Sequence, residues 1–368
     1  MHYANITGWG KCLPPATLTN DDLSTFLDTN DEWIQSRTGM QERRISHVST
    51  SELAYVAACQ AIAAAGIDAS ELDGIFFATC TADCTLPSAA SKVQAKLGAT
   101  NAAVFDMNAA CTGFIYGLST ANAFIQSGQM NKVLVIGAER ISYFLDWTER
   151  STAVLFGDGA GAGAVILESS TEKQGILSNK IGCDGDAGHI LSVPNFGTDR
   201  ARFKNVDGLF DFNFEGKEIF KRAVTRMGEA SAIALEKAQM TPEDVDFIIP
   251  HQANLRIIDF LAKRMGASKE KVMVNVHKYG NTSSATVPIA LCEALEEGRI
   301  KAGDNVLLAA FGGGLTWGAT MIKWGERITP IATSAAALPE YNGTALDLIQ
   351  DAIKGCQDAK LARESQAD

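Results

Sequence analysis

Apolar residues along this chain cluster in short solid runs rather than in long alternation. "ELDGIFFATC", "AAVFDMNAAC", "KVLVIGA", "DVDFIIPHQA", "KVMVNVHKYGN" and "NVLLAAF" each hold a few consecutive apolar residues bounded by polar or small ones. Such runs predict strands buried on both faces. The segments between them have helical spacing and stop at glycine, as in "AKLGA" (95–99), "KRMGA" (263–267), "FIQSGQ" at Gly128 and "ALEEGR" at Gly298. A glycine just past the last helical turn is a common helix stop. Strands alternating with helices predict an α/β protein with covered sheets.

The pattern occurs twice. Residues 71–138 and 244–311 follow the same order: acidic lead, strand, helix ending in Leu-Gly or Met-Gly, strand, small-residue turn, helix ending in glycine, strand. Gly98 and Gly266 are 168 residues apart, and Gly128 and Gly298 are 170 apart. This is duplication of an α/β unit, not a short solenoid repeat. A shift of 170 carries Cys111 onto Asn281, so each is expected at the turn into the helix of its own half. If the halves pack about a pseudo-twofold axis, the two residues meet near it.

The chain therefore divides into residues 1–170, the half carrying Cys111; 171–215, a Gly-, Asp- and Asn-rich stretch read as a surface excursion or lid; 216–324, the half carrying His251 and Asn281; and 325–368, a C-terminal extension. The extension predicts a helix over 344–357 with Leu346, Ile349 and Ile353 on one face, and a frayed end at "KLARESQAD".

Composition narrows the function. With 368 residues, 46% hydrophobic and 20% charged, the chain is ordinary globular protein. A formal net charge of −11 argues against nucleic acid as a partner. No run reaches the roughly 20 apolar residues of a membrane span, and the N-terminus lacks the basic start and apolar core of a signal peptide. Eight scattered cysteines then read as reduced thiols of a cytoplasmic protein. Cys80 and Cys84 are close, but no further ligand follows at zinc spacing, so no metal is expected.

Four stretches carry candidate chemistry. Cys111 lies at the start of the helix in "DMNAACTGFIYGL". A lone buried cysteine is often a small apolar filler. At a helix start, however, free N–H groups and the helix dipole favour a thiolate and lower its pKa, and a thiolate attacks thioesters. His251, in "IIPHQANLRI", follows a strand end, where sites in α/β proteins gather; a core or capping role is the alternative. Asn281, in "HKYGNTSSATVPIAL", suits a helix cap or tight turn. "FGGGLTWG" (311–318) allows close backbone approach. "FGDGAGAGAVIL" (156–167) reads as tight packing before a strand, and neither a GxGxxG fingerprint nor a P-loop is present.

"NAACTGFIYGL", "PHQANLRI", "YGNTSSATVPIAL" and "FGGGLTWG" together resemble, in order and spacing, the signatures of the 3-oxoacyl-[acyl-carrier-protein] synthase III family. "DEWIQSRTGMQERR" (31–44) and "FGDGAGA" (156–162) match as well, and the resemblance spans about residues 3–324. It implies the thiolase fold, two fused halves in a five-layered αβαβα core, and a homodimer. It implies initiation of type II fatty-acid synthesis: an acyl-CoA acylates Cys111, then malonyl-ACP loses CO2 and condenses to 3-oxoacyl-ACP. No cofactor is implied, since both thioesters are substrates.

By the same resemblance Cys111, His251 and Asn281 form the catalytic triad, and the N–H groups of Cys111 and Gly313 the oxyanion hole. Trp33 and Arg150 match the pair that sandwiches the CoA adenine, Arg37 a residue near its phosphates, Asn254 one beside the pantetheine arm, and Phe311 one near the catalytic pair. Lys221, Arg256, Lys263 and Arg264 match basic positions that dock the acidic carrier protein. Leu86 stands where a phenylalanine commonly closes the acyl pocket from the partner subunit, which predicts a longer pocket and medium-chain primers. Phe214 replaces a common methionine and would shorten that pocket. The rival readings are a thiolase-fold acyltransferase of secondary metabolism and a non-catalytic partner subunit. A degradative thiolase would need a second late catalytic cysteine, and neither Cys292 nor Cys356 is placed for that.

Overall fold

The computed structural model describes residues 2–158, 162–194 and 212–367. Strand β1 (Tyr3–Cys12) opens the chain. A ribbon of β2 (Ala16–Thr19) and β3 (Glu42–Ile45) follows, bracketing α1 (Asn20–Ser24) and α2 (Asp31–Thr38). The first half continues through α3 (Thr50–Ala65), β4 (Gly74–Ala78), α4 (Ala89–Leu97), β5 (Ala103–Met107), α5 (Gly113–Gln126), β6 (Lys132–Ala138), α6 (Arg150–Ala153) and β7 (Ala162–Ser170). The second half comprises β8 (Gly175–Cys183), the two-residue strands β9 (Leu191–Ser192) and β10 (Asn213–Phe214), α7 (Gly216–Ala238), β11 (Phe247–Pro250) and α8 (Leu255–Arg264). It ends with α9 (Val276–Tyr279), α10 (Thr286–Glu296), β12 (Asn305–Gly312) and β13 (Thr316–Lys323), and α11 (Ala345–Ala367) follows in the extension.

Two sheets repeat one plan. The first runs β1-β7-β6-β4-β5 and the second β8-β13-β12-β11. In each, the strands at one end are parallel (β4 with β5 and β6; β11 with β12), and those at the other end add antiparallel. Helices α5 and α10 lie between the sheets and touch both. Helix α10 is buried all round, as its apolar sequence "TVPIALCEALE" requires. One core cluster joins Phe114 and Leu118 of α5, Leu291 of α10, Val135 of the first sheet and Leu308 of the second. With α3 and α4 outside the first sheet and α7 and α8 outside the second, this is the five-layered thiolase fold.

Three expectations change. Residues 271–276 form no strand: Val272 makes one isolated bridge to Ile248, and the 3-10 turn Lys269–Lys271 runs straight into it, so the second sheet is one strand short. The stretch from 171 is not all surface excursion, because β8 pairs along β13 and belongs to the second sheet. The lid assigned to 171–215 therefore loses its first part, and its residues 195–211 lie outside the described residues. Finally, α11 does not stop near 357 but continues to Ala367 through the predicted frayed end.

Candidate active site

Cys111 sits in a 3-10 turn, Ala110–Thr112, that leads directly into α5. The residue before it, Ala110, has φ 46°, a left-handed conformation that is costly for any residue with a Cβ. Asn108 supports the turn: its Oδ1 accepts from the Ala110 N–H at 3.2 Å. The second half builds the same turn. Ser283–Ala285 leads into α10, Ser283 has φ 52°, and Asn281 Oδ1 accepts from the Ser283 N–H at 2.9 Å. The structural counterpart of Asn281 is therefore Asn108, and that of Cys111 is Ser284. The 170-residue shift placed both residues at the right turn but three residues out of step.

Each turn is pressed against the other half's sheet through a glycine. A Cβ on Gly312, at the end of β12, would lie 2.7 Å from the Cys111 backbone nitrogen. One on Gly137 of β6 would lie 2.4 Å from the Ser284 carbonyl oxygen. Only glycine permits those approaches.

His251 follows the carboxyl end of β11, where its N–H donates to Ala309 O at 2.8 Å. Its Nδ1 lies 2.6 Å from Thr286 Oγ1, and that hydroxyl also lies 3.1 Å from Ser283 O. Burial pushes the His251 imidazole down to about 3 and the Cys111 thiol up to about 12. The resting pair is thus a neutral thiol beside a neutral imidazole. This corrects the expectation of a thiolate favoured by the helix start: removal from water outweighs the three-residue turn's N–H groups.

Two functional groups escaped the sequence reading. Thr286 is one, although it stands inside the quoted "GNTSSATVP". The other is Glu139, fully buried directly after β6. It accepts from Thr79 Oγ1 (3.0 Å), Thr81 Oγ1 (2.5 Å), the Cys80 N–H (3.1 Å) and Ser283 Oγ (3.1 Å). No cation pairs with it among the described residues, and burial raises its carboxyl pKa. An acid at the end of a buried strand, in the same setting as His251, was the available signal.

Two cavities meet at Cys111. One, of about 600 Å³, runs from Trp33 and Arg37 past Asn254 to His251, Asn281 and Phe311. The other, of about 690 Å³, is mainly apolar and is walled by Ile141, Phe144, Leu191 and Phe212, with Cys80 and Gly313 beside Cys111. Phe214, expected in the acyl pocket, lines the first cavity, whereas Phe144, Phe156 and Phe212 are the aromatics of the second; the Phe212 and Phe214 rings both pack on Phe156. Leu86 lines neither cavity of its own chain and is 84% exposed.

At the outer mouth the Arg37 and Arg150 guanidiniums lie 4.5 and 4.6 Å from the Trp33 ring centroid. Trp33 and Arg150 are thus in contact, and the expected adenine slot between them is closed. Asn254 caps α8, accepting from the Arg256 N–H at 2.9 Å, and donates to Arg37 O at 3.1 Å, tying α8 to α2.

Lys221, Arg256, Lys263 and Arg264 are all exposed on α7 and α8, and none is ion-paired among the described residues. Arg264 lies along Gly228, and Arg256 lies over Phe220 at 5.6 Å. Phe260, 49% exposed, meets Phe220 edge-on. Lys217, not anticipated, joins Arg256 on the first cavity's wall.

The 3-Oxoacyl-[acyl-carrier-protein (ACP)] synthase III family matches at residues 105–185, and its C-terminal part at 235–324. The beta-ketoacyl-[acyl-carrier-protein] synthase III 2 of Vibrio vulnificus (strain YJ016) is 59% identical over 355 residues, 96% of this chain and 98% of its own. The beta-ketoacyl-[acyl-carrier-protein] synthase III of Roseiflexus sp. (strain RS-1) is 45% identical over 88% of this chain and 99% of its own. Among solved structures, the 3-oxoacyl-[acyl-carrier-protein] synthase III of Aquifex aeolicus VF5 superposes with a TM-score of 0.81 at 46% identity, covering 87% of this chain and 100% of that one. The priming beta-ketosynthase of the R1128 polyketide pathway gives 0.83 at 32% identity, covering 88% and 97%. Sequence, fold and the paired turns agree, and the chain belongs to the 3-oxoacyl-ACP synthase III family, the initiating condensing enzymes of type II fatty-acid synthesis.

Proposed function

We propose that Cys111 carries the acyl group between the two cavities, taking it from an acyl-CoA that enters past Trp33 and holding its chain in the apolar chamber. The observation that carries this reading is the position of Cys111 where the two cavities join.

In the first half-reaction His251 Nε2 accepts the Cys111 proton as the sulfur attacks the thioester carbon. The new C–S bond forms, the C–S bond to CoA breaks, and the proton passes to the departing CoA sulfur. The N–H groups of Cys111 and Gly313 hold the oxygen of the tetrahedral intermediate. In the second half-reaction malonyl-ACP loses CO2, and the enolate oxygen is held by His251 Nε2–H and the Asn281 carboxamide. The carbanion attacks the acyl carbon, the bond to Cys111 breaks, and one proton from solvent restores the thiol.

His251 must therefore accept at Nε2 in one step and donate there in the other. Thr286 suits both: its hydroxyl reaches Ser283 O when Nδ1 carries the proton, and can turn to Nδ1 when it does not. Asn281 carries no titrating proton, so its donor persists at any pH.

The scheme needs no cofactor beyond the two thioesters. The exposed cations Lys221, Arg256, Lys263 and Arg264 around Phe220 and Phe260 form the docking face for the acidic carrier protein. The acyl chamber suits medium-chain primers: roughly 30 Å³ accommodates a water-sized group, and about 690 Å³ far exceeds an acetyl group. The exposure of Leu86 supports a homodimer in which it reaches the partner's chamber. Eight free cysteines support a cytoplasmic setting; no helix among the described residues is long and apolar enough to cross a membrane.

Incubation with acyl-CoAs of increasing chain length, without malonyl-ACP, tests this reading by intact mass. The expected result is one acyl adduct, absent in Cys111→Ala and greatest for medium chains. An acetyl-only adduct removes the medium-chain primer, and no adduct removes the acyl-carrier role.

A further inference from the structure

The extension after residue 324 lies outside the matched family segments. The Roseiflexus relative is spanned almost completely while 12% of this chain stays unmatched, whereas the Vibrio vulnificus match spans 96% of this chain. The family's chemistry therefore does not depend on the extension.

It is nevertheless bound along its length. Arg327 donates to Thr7 O and Ala65 O at 3.1 and 2.6 Å, and the Ile331 N–H to Ala64 O at 3.0 Å. Gln60 and Ser334 exchange two hydrogen bonds. His47 contacts Pro339 O at 2.8 Å and stacks on Tyr341. Thr344 and Asp347 then cap α11, which packs on the β2–β3 ribbon.

The apolar face of α11 ends against the segment that leads to Arg150. Ile349 and Cys356 are buried in one cluster with Leu27, Ile34, Leu145 and Trp147, and Cys356 Sγ lies 3.9 Å from Leu145 O. Trp147 is fully buried, meets Phe26 edge-on at 6.1 Å and stands three residues before Arg150. Leu27 and Ile34 flank Trp33, and Arg150 donates to Asp28 O at 2.6 Å. The apolar cluster that buries the α11 face thus extends to both arms that bring Arg150 onto Trp33. A ring held between them needs planes about 7 Å apart, two van der Waals contacts, so Arg150 must swing away from its present 4.6 Å to admit one.

We propose that α11 is a brace that fixes the base from which Arg150 opens and recloses over the purine of an acyl-CoA, which makes it a positioning element for the nucleotide end of that substrate. This rests on the acyl-CoA reading above. Cys356 and Ile349 act through Leu145 and Trp147 and touch no substrate.

The test compares two acyl donors, an acyl-CoA and the same acyl group on N-acetylcysteamine, which lacks the nucleotide. The variants are a deletion of residues 344–368 and, in the full chain, Ile349→Ser, with Trp33→Ala as a control. For both α11 variants the KM for acyl-CoA should rise about fivefold, the scale of one weakened cation–π contact. The KM values for acyl-N-acetylcysteamine and malonyl-ACP should stay within about twofold. Equal changes with both donors, or no change in Ile349→Ser, would overturn the brace. If Trp33→Ala itself fails to separate the donors, the nucleotide clamp is wrong and the brace falls with it. If Trp33→Ala separates them and the α11 variants do not, only the brace is wrong.

Discussion

Asn108–Cys111 and Asn281–Ser284 are one piece of backbone built twice and used for two purposes. Each has an asparagine accepting from the N–H two residues on, a left-handed residue at that point, and a 3-10 turn opening a buried helix. Each touches the opposite sheet where a glycine allows it. The side chains differ: the first turn presents a thiol, and the second a carboxamide. The neighbouring strand ends differ too. Ala78 pairs with Gly137 and Pro250 with Ala309, which sets Thr79 opposite His251 and Glu139 opposite Phe311. The first sheet's strand ends carry a buried hydroxyl and a carboxyl that meets the second turn at Ser283; the second sheet's supply an imidazole and an aromatic wall. The strained turn is thus the shared device for bringing a side chain to the axis, and the chemistry is divided between the halves.

Replacing the two asparagines separately should separate the halves most strongly. With Asn281 as the proposed donor to the enolate, Asn281→Ala removes that donor as well as a turn bond, and should lower kcat about 10²–10³-fold, as loss of one oxyanion donor does. Asn108→Ala removes only the turn bond. It should cost about 1 kcal/mol of stability, and its steady-state kcat should fall far less. Equal losses of kcat would mean that Asn281 serves the turn alone.

The glycines give a smaller, more selective effect. A Cβ at Gly312 strikes the Cys111 amide, and one at Gly137 strikes the Ser284 carbonyl. Each alanine variant should lose about 1–3 kcal/mol by denaturant unfolding. Single-turnover kinetics should show Gly312→Ala slowing acylation, and Gly137→Ala slowing decarboxylation instead.

A pH slope tests the imidazole itself. The His251 pKa falls from its ordinary 6.5 to about 3 on burial. Between those values the unfolded chain holds a proton that the native protein lacks. Its contribution is complete above about pH 6.5 and declines as pH falls toward 3, by at most about 1.4 kcal/mol per unit. His251→Gln should lose that part of the slope, read as the difference between the two urea-unfolding curves at pH 5 and pH 7. Parallel curves would mean that the buried imidazole titrates at its ordinary value.

Much of this was legible in the sequence because burial on both faces writes strands as solid apolar runs. The duplicated order, Cys111 at its helix start and His251 after its strand all followed from such runs. What stayed hidden has physical reasons. Strand β8, "GILSNKIGC", is an edge strand with half-exposed polar residues, so it reads as loop. Val272 is as apolar as a strand residue, but the turn before it leaves space for one bridge only. The place of Glu139 at the end of a buried strand is visible in the sequence, but the four donors around it come from 79–81 and 283 and meet only in the fold. The length of α11 was available: residues 357–367 are rich in good helix formers, Ala, Lys, Arg, Gln and Glu.

The division of labour is tested most directly by malonyl-ACP alone, with CO2 release measured for Cys111→Ala and Asn281→Ala. Cys111→Ala, which cannot form an acyl-enzyme, should still release CO2, while Asn281→Ala should acylate with acyl-CoA but release almost none. Equal loss of CO2 release in both variants, or its retention in Asn281→Ala, would contradict the assignment of the two turns to two half-reactions.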